Sequence, residues 1–162
     1  MRRLAAFTFV ALTCFASRGS AQTSSNKPRA ATQFIGTWRL VSFQGDSASR
    51  LVNRGPHPIG LIYYDVTGHM AVQIQPDRHR ESWRPTQLPT PQQAVDAVNG
   101  YTAYFGTYSI DEKAHTVTHH RVGALNLDIV DYIRRYEFNG SDRLTLVPVD
   151  RPGTRLVWER IK

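Results

Sequence analysis

Tyrosine and arginine alternate along the segment IVDYIRRYEF (129–138), a spacing that can put a cation and phenol hydroxyls on one surface. Successive side chains of a strand point to opposite faces, so Tyr132, Arg134 and Tyr136 share a face. Because that face is the more aromatic one, we expect it to point inward. A buried guanidinium is costly without an anionic partner. These three residues are therefore candidates to bind the acidic group of a ligand; a structural ion pair, or stacking of Arg134 on the two tyrosines, is the alternative.

Two adjacent histidines follow the same alternation in TVTHHRV (116–122). His119 and His120 point to opposite faces, so only one of them can enter a core. Since His119 shares its face with the mid-strand residue Val117, we expect His119 to be the inner one. A histidine held near tyrosine and arginine side chains can transfer a proton. His119 is therefore a candidate for ligand binding and for general base catalysis.

Three further side chains are suited to a functional site. His69 opens a strand beside a turn and alternates with Met70, so we expect it to be exposed; it is the second candidate base. Tyr108 is expected on the inner face of its strand, where its hydroxyl would be a binding or catalytic candidate. Trp83 lies in the proline-rich segment 76–90, which can form a lid that touches ligand. An ordinary solvated loop is the alternative for that segment.

Several classes of site are missing from the sequence. It contains no G-x-S-x-G elbow, no P-loop and no G-x-G-x-x-G turn. It has no H-E-x-x-H motif, and its histidines and carboxylates show no recognisable metal-ligand spacing. We therefore predict neither a metal nor a cofactor. The arginines are scattered and form no long basic run, which argues against a nucleic-acid partner.

The first 21 residues have the layout of a secretory signal peptide. Arg2 and Arg3 precede a mostly apolar run of 13 residues, which is too short to span a bilayer. The small residues Gly19 and Ala21 follow this run. We expect cleavage after Ala21, a periplasmic or secreted mature chain, and no stable insertion of that chain into a membrane.

Cleavage at that position would change the composition of the chain. It would remove Cys14, the one cysteine, so the mature chain would have no disulfide and no thiolate ligand. It would also remove three of the 20 Lys and Arg residues, which leaves 17 against 13 acidic residues. The remaining length of about 141 residues is enough to bury a core without covalent staples.

The mature chain divides into a leader and one domain. Residues 22–33 are small and polar, which predicts a flexible leader. From residue 34 to residue 162, segments of period two alternate with turn residues. Strands are predicted at 35–43, 59–65, 69–75, 105–111, 116–122, 129–138, 143–149 and 154–161.

One short helix is predicted between the third and fourth strands. Thr90 is suited to the N-cap, Pro91 to the first helical position, and Gln93 completes a capping box. The fold class is therefore all-β. Eight antiparallel strands can close into a small barrel, which leaves no unpaired edges. An open sandwich of two sheets is the alternative.

Specific residues also resemble a known family. Gly36 and Trp38 on the first strand and Arg160 on the last are similar to the lipocalin signature, in which the tryptophan packs across the barrel floor beneath the arginine. The ordered segments FIGTWRLVSF, PIGLIYYDVTGHMAVQI, GYTAYFGTYSID and DYIRRYEFNG resemble the lipocalin-like domain proteins of bacteria and fungi. This resemblance implies an eight-stranded lipocalin-like barrel, closed by these three residues, with an internal pocket for a small, largely apolar molecule. It implies no settled activity.

Three functions are compatible with these observations. The first is an exported barrel that binds a small hydrophobic or amphipathic ligand, expected to be anionic. The second is a cofactor-free isomerase or cyclase that uses inward histidine, tyrosine and arginine side chains in the same pocket. The third is a barrel filled by its own side chains that serves as an interaction module. A solid interior would favour the third function, and an inward histidine within reach of tyrosine and arginine would favour the second.

Overall fold

A computed structural model of the protein describes residues 29–45, 54–125 and 130–162. The predicted signal peptide and residues 22–28 of the predicted leader lie outside this part of the chain.

Eight antiparallel strands form a closed barrel in which each strand pairs with the next and the last pairs with the first. The strands are β1 (Gly36–Gln44), β2 (Ile59–Tyr64), β3 (His69–Gln75), β4 (Thr102–Asp111), β5 (Thr116–Ala124), β6 (Tyr132–Asn139), β7 (Arg143–Pro148) and β8 (Arg155–Arg160). Helix α1 (Arg29–Phe34) precedes β1, and helix α2 (Pro91–Val98) connects β3 to β4. The predicted barrel is confirmed, and the open sandwich is excluded.

The strands form where apolar residues recur at every second position. In β3 the side chains of Met70, Val72 and Ile74 are buried, while those of His69 and Ala71 are exposed. This pattern fits a sheet with one face in the core and one face in water. The inner side chains of all eight strands therefore point into one shared interior.

The end of the predicted leader is ordered, which corrects the prediction of a flexible segment for residues 29–33. These residues belong to α1, in which Ala30 and Phe34 are buried. The Phe34 ring packs edge-on against Tyr64 and Phe138, each with a centroid distance of 5.0 Å. The small, polar composition of this segment predicted flexibility. The helix is nevertheless held in place, because the buried Ala30 and Phe34 are enough to dock a single helical turn against the barrel.

Gly36, Trp38 and Arg160 close this end of the barrel. The Arg160 guanidinium carbon lies 4.1 Å from the Trp38 ring centroid. Its nitrogens donate hydrogen bonds to the carbonyl oxygens of Ile35 at 2.5 Å and Gln33 at 2.6 Å. Gly36 has a φ of +131°, and a Cβ there would lie 2.7 Å from Arg160 Nη1. A residue without a side chain is therefore required where the guanidinium crosses the strand.

Helix α2 begins with the predicted capping box, in which Thr90 and Gln93 each accept a hydrogen bond from the backbone of the other. Arg78, from the segment that precedes the helix, donates to the carbonyl oxygens of Asp96 and Asn99 at 2.9 Å. These bonds satisfy carbonyls at the end of α2 that lack helical partners. Within the described ranges, no helix is long and apolar enough to span a bilayer.

Candidate functional site

A cavity of about 220 Å³ lies inside the barrel at the end opposite Trp38. One part of its wall is apolar and consists of inner residues from β2, β3, β7 and β8, namely Ile62, Val72, Ile74, Leu146 and Leu156. Another part carries the guanidinium groups of Arg54, Arg121, Arg134 and Arg151. In the described part of the chain, no Asp or Glu lines this cavity. The wall thus carries guanidinium groups on one side and apolar side chains on the other.

Within the described ranges, Arg134 is one of two buried arginines that line this cavity. It is 8% exposed and occupies an inner position of β6. Its Nη1 lies 3.3 Å from His119 Nδ1 and 3.4 Å from the carbonyl oxygen of Tyr132. Among the described residues, no carboxylate lies within 4.0 Å of this guanidinium. Arg134 is therefore a buried cation held only by neutral groups.

Tyr132 holds two of the arginines by stacking. The guanidinium carbon of Arg121 lies 3.8 Å from the Tyr132 ring centroid, and that of Arg134 lies 5.0 Å from it. Arg121 Nε also donates to the carbonyl oxygen of Val130 at 2.6 Å. Cation–π contacts strengthen when water is excluded. Tyr132 therefore fixes the two cationic groups at the cavity wall.

His119 lies inside the barrel behind this wall and is fully buried. Its Nε2 is 2.8 Å from the hydroxyl of Tyr64, and its Nδ1 is 2.8 Å from the hydroxyl of Tyr104. Tyr104 lines the cavity, whereas His119 and Tyr64 do not. The three side chains form a hydrogen-bonded row that reaches the cavity through Tyr104.

The position of Arg134 determines which nitrogen of His119 carries the proton. A guanidinium can only donate hydrogen bonds, so Nδ1, which faces Arg134, must act as an acceptor. The neutral ring then carries its proton on Nε2 and donates to the oxygen of Tyr64. Tyr104 donates to Nδ1, which leaves the lone pairs of its oxygen available to accept a hydrogen bond.

Burial keeps this row of side chains neutral. Desolvation, followed by the charge of Arg134, holds the pKa of His119 well below its ordinary value. Desolvation also raises the pKa of Tyr64 and Tyr104 above that of free tyrosine. At neutral pH the imidazole is therefore uncharged and both phenols are protonated, so Arg134 is the charged member of this group.

Two of the predicted inward tyrosines lie at the closed end instead of the cavity. Tyr136 is buried, but its ring packs on Phe34 with a centroid distance of 5.1 Å. The Tyr108 hydroxyl donates to the carbonyl oxygen of Asp65 at 2.9 Å. Both side chains face inward as alternation predicts, but neither lines the cavity. Their contacts stabilise the floor of the barrel.

Two other candidates lie away from the interior. His69 is on the outer face, with its Nδ1 2.8 Å from the hydroxyl of Thr67. Trp83 is 40% exposed and lines a shallow surface groove beside Arg78 and Ala97. None of the residues in 76–90 lines the cavity. The structure therefore does not place His69 or Trp83 in contact with the candidate site.

The structure adds three residues that the sequence analysis did not select. Tyr104 was missed because β4 begins at Thr102, three residues before the predicted start. Arg121 follows His119 by two positions, so the same alternation could have identified it. Trp158 is buried and lines the cavity, and its Nε1 has no hydrogen-bond acceptor among the described residues.

Comparison with known proteins identifies the family. Residues 35–161 match the family model of the lipocalin-like domain. Among solved structures, a redesigned β-barrel is similar with a TM-score of 0.43 and 12% sequence identity, covering 83% of this chain and 96% of that chain. A search of curated proteins gives no match. Since the family model spans most of the chain, including the whole barrel, this protein belongs to the lipocalin-like domain family.

Proposed function

We propose that the protein binds a small amphipathic acid inside the barrel, with the acid group at Arg134 and the apolar part against the aliphatic wall. One observation carries this proposal. Arg134 is buried at the wall of a cavity, and no carboxylate within the described residues neutralises it. A buried charge of this kind is stabilised when an anion and its hydrogen bonds are supplied.

The surroundings of Arg134 favour an anion over a neutral ligand. Arg134 is buried at the cavity wall without a carboxylate partner among the described residues, and its positive potential acts in a region of reduced dielectric. A carboxylate here would accept charge-assisted hydrogen bonds from Arg134, which are stronger than bonds between neutral groups.

The size of the cavity limits the ligand. Its volume of about 220 Å³ is below the ~300–1,000 Å³ that is typical of sites for drug-sized molecules. Short or medium-chain acids and small aryl acids fit this description better than long fatty acids do. Burial of their apolar part would contribute roughly 25 cal/mol for each Å² removed from water.

A comparison of head groups tests the proposal. Octanoic acid should raise the thermal unfolding temperature, whereas octanol and octylamine should raise it much less, because only the acid supplies an anion to Arg134. At a concentration of 100 times Kd, the gain in the free energy of unfolding should be about 2.7 kcal/mol. Native mass spectrometry of the purified protein would show whether an acid is retained. Equal shifts with octanol and octanoic acid would contradict the proposal.

The alternative function is a cofactor-free isomerase or cyclase that uses Tyr104 and His119 as a proton relay. It is favoured by the 2.8 Å contact between these two side chains beside Arg134. The lowered pKa of His119 and the raised pKa of Tyr104 oppose transfer of the Tyr104 proton to the imidazole. His119 also does not line the cavity. We therefore favour binding over catalysis in this pocket.

We also propose that the protein acts outside the cytoplasm. The layout of the first 21 residues supports this proposal. Sequencing the N-terminus of the protein recovered from the periplasm or medium tests it, and the expected first residue is Gln22.

A further inference from the structure

A serine, a histidine and an aspartate form a hydrogen-bonded row on the outer face of the barrel. Ser109 Oγ lies 2.8 Å from His120 Nε2. His120 Nδ1 lies 2.8 Å from Asp131 Oδ2. The two bonds use opposite nitrogens of the imidazole, so the hydroxyl and the carboxylate are on opposite sides of the ring. This order of groups is the one that activates a serine hydroxyl for nucleophilic attack.

The barrel holds these residues on adjacent strands. Ser109 is on β4, His120 is on β5, and Asp131 immediately precedes β6. Cross-strand pairing places Thr107 opposite His120 and Ser109 opposite Thr118, so Ser109 and His120 are diagonal neighbours on one face. Groups carried by a hydrogen-bonded sheet keep their separation better than groups on loops.

We propose that Ser109 is an activated nucleophile that takes an acyl group from small neutral esters. His120 is the general base, and Asp131 holds the imidazole in the tautomer that keeps Nε2 free to accept a proton. Ser109 is exposed, and the side chains of His120 and Asp131 are 42% and 54% exposed. The nucleophile is thus open to solvent and separate from the interior cavity.

The reaction needs only an ester and water. Ser109 Oγ attacks the ester carbonyl while its proton passes to His120 Nε2. The tetrahedral intermediate expels the alcohol or phenol, which takes the proton from His120, and an acyl ester of Ser109 remains. Water then attacks this ester with His120 again as the base, releasing the carboxylic acid and restoring the Ser109 hydroxyl.

The surrounding surface favours aryl or short-chain esters. Phe105, Val122 and Ile133 are exposed on these three strands, with exposures of 57%, 65% and 47%. They offer apolar contact to the acyl or leaving group. Thr118 pairs directly across from Ser109, and we assign its hydroxyl as the donor to the developing oxyanion. These four surrounding side chains carry no charge, which suits a neutral substrate.

Two other surface hydroxyl groups, those of Thr67 and Ser141, lie near acidic side chains but differ from Ser109 in their contacts. The Thr67 hydroxyl contacts both Asp65 Oδ1 and His69 Nδ1 at 2.8 Å, so the hydroxyl lies between the acid and the base. Ser141 Oγ donates to Asp142 Oδ1 at 2.9 Å, and no histidine of the described residues is hydrogen-bonded to it. In neither case does a carboxylate contact one nitrogen of an imidazole while the hydroxyl contacts the other nitrogen. Ser141 is therefore an internal control for the reactivity of an ordinary surface serine.

A fluorophosphonate probe, which modifies activated serines, tests the proposal. Intact mass spectrometry of the full chain should show one adduct, and peptide mapping should place it on Ser109 and not on Ser141. Ser109→Ala should abolish the adduct. His120→Gln should slow labelling by at least about 10-fold, whereas His79→Gln, a change of an exposed loop histidine, should not. Asp131→Asn should slow labelling less than His120→Gln does.

A second measurement separates loss of reactivity from loss of the fold. Each variant changes exposed side chains, so its circular dichroism spectrum and its octanoic acid binding should match the wild type. Absence of an adduct on folded wild-type protein would overturn the proposal. Labelling of His120→Gln at the wild-type rate would do the same, because the row would then be only a cross-strand hydrogen-bond ladder.

Discussion

Replacing Arg134 by methionine is expected to weaken binding of octanoic acid by at least about 30-fold. Removing one partner of a buried, hydrogen-bonded charge pair costs roughly 2–5 kcal/mol of binding free energy. Isothermal titration calorimetry at fixed ionic strength measures the change. Arg135→Met is the matched control, since Arg135 is the next residue on β6 and its side chain is exposed. It should leave the affinity close to that of the wild type.

The same variant separates a ligand site from a structural role. Because no carboxylate of the described residues pairs with Arg134, methionine removes a desolvated charge without leaving an unpaired anion there. The ligand-free Arg134→Met protein should therefore unfold at the wild-type temperature or above it. Weak binding of octanol should persist, since the aliphatic wall is unchanged. A strongly destabilised variant with unchanged octanoic acid affinity would show that Arg134 supports the fold instead.

Acidification below about pH 6.5 is expected to destabilise the protein through His119. Burial holds the pKa of this histidine well below its ordinary value in the folded state, while in the unfolded chain the value is about 6.5. Below pH 6.5 the unfolded state therefore binds one more proton than the folded state. The free energy of unfolding should fall by up to about 1.4 kcal/mol for each further pH unit until the folded pKa is reached. Urea unfolding at a series of pH values measures this slope.

His119→Gln should remove that slope between pH 6.5 and pH 5, even though the variant loses stability at every pH. His79→Gln, which changes an exposed histidine, should retain the slope. The carboxylates of Asp65, Asp142 and Glu159 have pKa values lowered by hydrogen bonds. The contributions of these carboxylates to the free energy of unfolding are lost only below about pH 4.5. An unchanged slope in His119→Gln would show that another group carries the acid sensitivity.

Ligand binding at Arg134 and the protonation of His119 are coupled, because the two side chains are neighbours. Arg134 lies beside His119 Nδ1 and lowers the pKa of that imidazole. An anion bound at Arg134 would offset part of its positive potential. Octanoic acid should therefore raise the folded-state pKa of His119 slightly in the wild type and in the Arg135→Met control, but not in Arg134→Met.

The alternation of side-chain direction along each strand was sufficient to predict which residues face the barrel interior and which face outward. It placed Arg134, Tyr132 and His119 inside the barrel, and it placed His120 outside. It did so because side-chain direction in a strand has a period of two, which depends on local geometry alone. The turn and cap residues likewise allowed the number of strands and the position of α2 to be predicted.

Alternation does not predict how far along the barrel axis an inward side chain lies. Tyr136 and Arg134 are two positions apart on one inner face, yet Tyr136 packs against Phe34 at the floor and Arg134 lines the cavity. What separates them is the docking of α1, which fills one end of the interior. That docking depends on a residue outside the strands, so no strand pattern predicts it.

Residue types and their alternation were enough to predict the closed barrel and the inward placement of His119 and Arg134, and the family resemblance supplied the marker residues Gly36, Trp38 and Arg160. The three-dimensional structure was needed to show that Tyr104 and Trp158 join the cavity and that Ser109 meets His120. Both results depend on register between strands, including the shift between Phe105 and Gly106 on β4. Register is set by long-range pairing around the whole barrel, and a local pattern of residue types does not contain it.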